Sequence, residues 1–213
     1  MKHLISGAIK LTTASVLVMS IVACGGADER KTKYLEKGKA YLEEKNYDKA
    51  KIEFKNVLQI DPKYAEAYYY MGQLAEKKKD FIQAVGNYNK AIELNPNNIN
   101  AKAKIATIYV IAGTDEHIEA AKKLLDEVMA LDPKHSEALF VKGTIEYKTG
   151  DVEKAISQME TVLKDNSHLV GGVAMLSSIY ASKGRDAEAI KLLKKGVKNN
   201  PKEIYLRVSL SQI

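Results

Sequence analysis

The chain has 213 residues, 46% hydrophobic and 28% charged, a balance that folds rather than staying disordered. A single cysteine excludes an intrachain disulfide framework and a Cys-based zinc site. The net charge is +6, but lysine alternates with aspartate and glutamate through most of the chain, which marks solvated helix faces and not a nucleic-acid stripe.

Residues 1–23 differ from everything after them. Their only basic groups are Lys2, His3 and Lys10, and no acid occurs before Asp28. Leu11 to Val22 is an apolar run broken by Thr12, Thr13, Ser15 and Ser20. Twelve residues make roughly 18 Å of helix, too short for a bilayer core of about 30 Å. A basic start, a short apolar centre and small residues at the end describe a secretory signal peptide. Its end, Ile21-Val22-Ala23-Cys24-Gly25, resembles the lipobox of bacterial lipoproteins. The resemblance implies cleavage before Cys24, acylation of that cysteine as the first mature residue, and a linker over 24–30. By the family's sorting rule Gly25 implies outer-membrane delivery facing the periplasm, or the plasma membrane in a single-membrane organism. Two or more acyl chains hold such an anchor stably.

The remainder is repetitive. All four prolines follow Asp or Asn, in Asp61-Pro62, Asn95-Pro96, Asp132-Pro133 and Asn200-Pro201. Such pairs start turns and stop helices. Gly38 is followed by Ala50, Phe54 and Pro62, and Gly72 by Ala84, Tyr88 and Pro96 at the same offsets. Gly143 leads Ala155, Met159 and Ser167, and Ser177 leads Ala189, Leu193 and Pro201. Ala106 heads a unit whose Ala121, Leu125 and Pro133 fall three residues late, so an insertion is expected near Gly113-Thr114-Asp115, before the second helix. Helix formers dominate, which disfavours a sandwich or barrel.

This grammar resembles the tetratricopeptide repeat, a helix–turn–helix of 34 residues. The resemblance implies an all-α solenoid of antiparallel helix pairs in a right-handed superhelix over 31–213. Its units are 31–64, 65–98, 99–135, 136–169 and 170–203, with a partial unit at 204–213. Within each pair a small residue of the first helix and an early alanine of the second let the axes approach closely. Large residues such as Phe54, Tyr88 and Leu125 fill the space toward the next unit. Asp80 and Asp151 are expected as N-caps, and Gly150 and Gly184 as C-caps. Residues 204–213 are apolar on most sides, whereas a capping helix has a polar outer face. A longer array, or an end that dimerises or meets a partner, is therefore expected.

Phosphate-loop, zinc-protease and serine-elbow motifs are missing from the sequence, so neither catalysis nor a cofactor is expected. His135-Ser136-Glu137 has a deaminase-like spacing without its cysteines and reads as a helix start. Asp115, Glu116, His117 and Glu119 could offer donors to a divalent ion, but also fit the first turn of a helix, and no metal site is expected. Lys77-Lys78-Lys79 fits a solvated helix end, where cations meet the negative terminus.

Binding remains. By resemblance to ligand-bound family members, the inner face maps to Leu35, Lys39 and Leu42, then Tyr69, Gln73 and Glu76, then Ala103, Thr107 and Val110. It continues through Phe140, Thr144 and Tyr147 to Ala174, Ser178 and Ala181. Members that clamp a carboxylate use Lys, Arg and Asn at such places. One lysine and no Arg or Asn argue against that mode here and for a protein or peptide with apolar anchors. The alternative is that Tyr69, Phe140 and Tyr147 only pack between helices. The combination is similar to the repeat lipoproteins of exopolysaccharide and PEP-CTERM systems. It implies a lipid-anchored envelope scaffold for assembly or export of a surface component. A pilotin-like pilus lipoprotein and an accessory subunit of a cell-wall enzyme are the alternatives.

Overall fold

The computed structural model describes residues 26–213, apart from the side chain of residue 165, and Cys24 and the leader lie outside that range. The described residues are helical, with no strand among them. α1 covers 26–43 and α2 Tyr47–Ile60, α3 is Ala65–Lys77 and α4 Phe81–Leu94. α5 (Ile99–Ala112) and α6 (Asp115–Leu131) precede α7 (Ser136–Lys148) and α8 (Val152–Asp165). α9 (Val170–Ser182), α10 (Asp186–Asn199) and α11 (Ile204–Ser211) follow. The chain divides into two compact units, one ending at Asn98 and the other running from Ile99 to Ile213. The expected all-α, helix–turn–helix architecture is what the chain adopts.

Three of the pairs are closed by a glycine facing a large residue. A Cβ on Gly38 would lie 2.4 Å from Phe54 Cε1, one on Gly72 2.5 Å from Tyr88 Cε1, and one on Gly143 2.6 Å from Met159 Cε. Phe54, Tyr88 and Met159 are fully buried, so the helix axes can come this close only where the opposing residue has no side chain. Phe54 also stacks on Tyr70 of the following pair, with ring centroids 5.4 Å apart. In the unit starting at Ile99, one core gathers Ala106, Leu125, Val128 and Val141, and another gathers Met159, Val173, Leu176 and Leu193. Phe140 packs against both.

The turns inside the pairs share one device, a left-handed residue after the first helix. Gly113, Gly150 and Gly184 have φ of 73°, 90° and 71°, and Lys45 and Lys79 hold the same place at 61°. Glycine carries no Cβ penalty there, and the lysines do. Asp80 caps α4 by accepting from Gln83 N. Asp151 occupies the expected cap position of α8, but its carboxylate takes Lys154 instead of a backbone N–H.

The insertion is not a loop. α6 has 17 residues where α2, α4, α8 and α10 have 14, so the three extra residues form most of an added first turn. Thr114 caps it by accepting from His117 N, and Asp115 and Glu116 sit where a helix N-terminus favours acids. At the far end of the chain Leu206 is fully buried, while Ile204, Tyr205, Val208 and Ile213 are exposed.

Candidate functional site

The mapped residues divide by unit. In the first, Leu35 is 3% exposed and belongs to the core with Phe54, Val57 and Leu74, so it lines no open surface. Leu42 packs against the same cluster. Lys39 reaches Glu36 and Glu66, both at 2.9 Å, and lies 5.1 Å from the Tyr70 ring centroid. Burial alone would lower its pKa, but the Glu66 and Glu36 hydrogen bonds outweigh it and hold the ammonium charged well above the ordinary lysine range. A lysine held by two carboxylates is a poor clamp for a third. Tyr69 is half-buried against Tyr70 and Tyr88, at centroid distances of 5.4 and 5.8 Å. Gln73 is half-buried, and Glu76 accepts the Tyr88 hydroxyl at 2.8 Å. This row is occupied by its own packing and ion pairs.

The second unit is more open. Ala103 and Val110 are core, contrary to their place in the mapped row, because their face of α5 meets Val128, Val141 and Ile145. Thr107 and Thr144 donate back to the carbonyls four residues earlier, Ala103 at 3.0 Å and Phe140 at 2.9 Å, which leaves their oxygen lone pairs free to accept. Phe140 is half-buried, with its ring 3.3 Å from where a Gly171 Cβ would stand. Tyr147 is 40% exposed and Ser178 is exposed. Ala174, Ser178 and Ala181 line a hollow of about 180 Å³, completed by Ser177, Tyr205, Ser209, Gln212 and Ile213. The two charges flanking this row, Lys104 and Glu137, neutralise each other at 2.8 Å. The surface therefore offers hydroxyls, an amide and aromatic rings without net charge, a lining that suits backbone amides and apolar side chains of a peptide.

The other singled-out groups have structural partners. His135 caps α7 by accepting from Ala138 N at 3.2 Å, and its Nε2 lies 3.0 Å from Asn100 Oδ1. His117 Nδ1 lies 2.6 Å from Thr114 Oγ1, and its ring rests against Tyr109. Among the described residues, no three His, Cys, Asp or Glu side chains converge as a metal ion requires. No described helix is long and apolar enough to cross a membrane.

Comparison with known proteins agrees with this geometry. A family described as the cytochrome c-type biogenesis protein H TPR domain matches residues 26–168, and a tetratricopeptide-repeat model matches 173–203. The human protein O-mannosyl-transferase TMTC3 is 26% identical over 148 residues, covering 68% of this chain and 16% of that protein. The wheat (Triticum aestivum) Hsp70-Hsp90 organizing protein is 27% identical over 130 residues, covering 59% of this chain and 22% of that protein. The chain thus spans less than a quarter of either relative. Among solved structures, the thermophilic TPR protein TTC0263 of Thermus thermophilus superposes with a TM-score of 0.72 at 21% identity, covering 85% of this chain and 97% of that one. Pseudomonas aeruginosa PilF gives 0.69 at 19% identity, covering 88% and 85%. YrrB, described as having an unusual peptide-binding site, gives 0.53 at 20% identity, covering 84% and 91%. At these identities the structures share the fold.

Proposed function

The chain belongs to the family of the cytochrome c-type biogenesis protein H TPR domain, and from that premise we propose that it is a lipid-anchored scaffold of the bacterial envelope. Tetratricopeptide domains bind protein, and no catalytic domain is found here. The observation that carries the binding reading is the uncharged inner row of the second unit. There Thr107, Phe140, Thr144, Tyr147 and Ser178 lead to the hollow beside Tyr205. The occupant in this reading is an extended or helical peptide segment whose apolar side chains enter between the aromatic groups, with serine and threonine oxygens taking its N–H groups.

The envelope address rests on the sequence through Cys24. Acylation there would tether the repeats to the membrane, with exopolysaccharide assembly or export as the process served. Labelling with an alkyne fatty acid tests it. Wild type should incorporate label and fractionate with membranes, and Cys24→Ser should lose both. An unlabelled, signal-cleaved variant that stays with membranes at high salt would overturn the anchor.

A second reading, pilus assembly, is supported by fold likeness to PilF and to PilW, which is described as a type IV pilus biogenesis factor. Affinity capture from detergent-solubilised envelope separates the two. Pilus-secretin components in the eluate favour the second reading, and polysaccharide-export components favour the first.

A further inference from the structure

Comparison of successive repeat junctions singles out the one between α6 and α7. Three residues after the small residue of the first helix, the chain carries Tyr41, Tyr109 and Tyr180 in three pairs and Ala75 in the second. After Gly143 it carries Glu146, and just before that glycine stands Lys142, a place held by Lys37 in the first pair and by Ile105 and Leu176 in α5 and α9. Between α8 and α9 this position holds the buried Tyr180, whereas between α6 and α7 it holds Glu146. A hollow of about 240 Å³ lies there, lined by Lys122, Leu125, Asp126, Lys142, Ile145, Glu146 and Thr149.

The matching junction one repeat later shows what the hollow lacks. There the Tyr180 hydroxyl donates to Glu160, which lies five residues after Ala155 on α8. The corresponding residue five after Ala121 on α6 is Asp126. At the α6–α7 junction the tyrosine is replaced by a carboxylate, so two acceptors line the space and the donor between them is gone. Glu146 Oε2 is buried and has no hydrogen-bond partner. Lys142 sits one turn away but makes no hydrogen bond to it, and Lys122 is taken by Glu119 at 2.6 Å. A buried carboxylate oxygen without a donor is costly, and a ligand that supplies one gains the difference. Burial pushes the Glu146 carboxyl above the usual range, with Lys142 opposing.

We infer that the hollow between α6 and α7 is a binding site for a guanidinium group. The two carboxylates of the hollow come from facing helices, Asp126 from α6 and Glu146 from α7. Guanidinium is planar, carries donors in a rigid fork that matches carboxylates, and is weakly hydrated enough to lie on the apolar floor of Leu125 and Ile145. An ammonium group is compact and strongly hydrated and fits this space poorly. The group could be an arginine side chain of a protein partner or a free small guanidine. This site uses none of the inner-row residues, so it stands or falls separately from the peptide groove.

The test is methyl NMR of the protein with labelled leucine and isoleucine. The probes are N-acetyl-arginine amide, agmatine as a free guanidine, and N-acetyl-citrulline amide as the uncharged near-isostere. Saturable shifts of the Leu125 and Ile145 methyls with the arginine amide are expected, and none with citrulline. Glu146→Gln keeps the shape and should weaken binding at least about tenfold, near 1.4 kcal/mol. Lys142→Ala removes the competing cation and should tighten it. Glu146→Tyr should fill the hollow as Tyr180 does one repeat later, raise the melting temperature and abolish binding. Saturation by the arginine amide supports a protein-borne group, and saturation by agmatine alone supports a free guanidine. Absence of saturable shifts, equal response to citrulline, or unchanged affinity in Glu146→Gln overturns the assignment.

Discussion

Gly72→Ala and Gly86→Ala add the same methyl group to consecutive helices of one unit, and the packing gives them opposite signs. At Gly72 the new carbon would stand 2.5 Å from Tyr88 Cε1 and 2.6 Å from Cδ1. Tyr88 is fully buried, its hydroxyl is tied to Glu76 and its ring lies against Tyr69, so the ring has little room to yield. Overpacking of this kind costs about 1–3 kcal/mol. The better helix propensity of alanine offsets about 1 kcal/mol. The net expectation for Gly72→Ala is a loss of up to about 2 kcal/mol. Gly86 is exposed within α4, and a Cβ there would meet nothing within 4 Å, so only the propensity gain of about 1 kcal/mol remains. Urea unfolding followed by far-UV circular dichroism measures both. A Gly72→Ala protein as stable as Gly86→Ala would refute the close-approach reasoning.

Three further outcomes follow from the same contacts. Phe140→Ala should lose about 2–3 kcal/mol because the ring joins two cores, whereas Tyr147→Ala should lose under about 1 kcal/mol, and thermal melts compare them. Lys79→Gly should gain up to about 1 kcal/mol by relieving a left-handed lysine, read as a higher urea midpoint. Glu146 has a pKa raised by burial, so the folded state holds that proton more tightly than the unfolded chain. Its contribution is fully present below the usual carboxylate range and is lost as pH rises through the raised value. Glu146→Gln should therefore melt higher than wild type at neutral pH and lose that advantage in acid.

The helix pairs are readable in the sequence because the glycine-to-aromatic offsets are themselves the contacts: Gly38 meets Phe54, and Gly72 meets Tyr88. Counting offsets also locates the three extra residues, but it does not say whether they continue a helix. The cap at Thr114 and the acids after it decide that they do. Leu35, Ala103 and Val110 fall in the mapped row by resemblance to ligand-bound family members, and which side of that row is covered depends on how the next pair leans on it. The hollow at Glu146 is not legible in the repeat, where the same position also holds Ala75, and its size and the unpartnered oxygen are facts of packing that spacing does not carry.

The most direct test of the interaction-scaffold account is site-specific photo-crosslinking in cells, with the reactive residue placed at Ser178 on the inner row or at Lys191 on the exposed side of α10. The account predicts discrete protein adducts from Ser178 that Phe140→Ala diminishes, and none of the same species from Lys191. Adducts from Lys191 with none from Ser178 would contradict it and move the binding surface to the second helices.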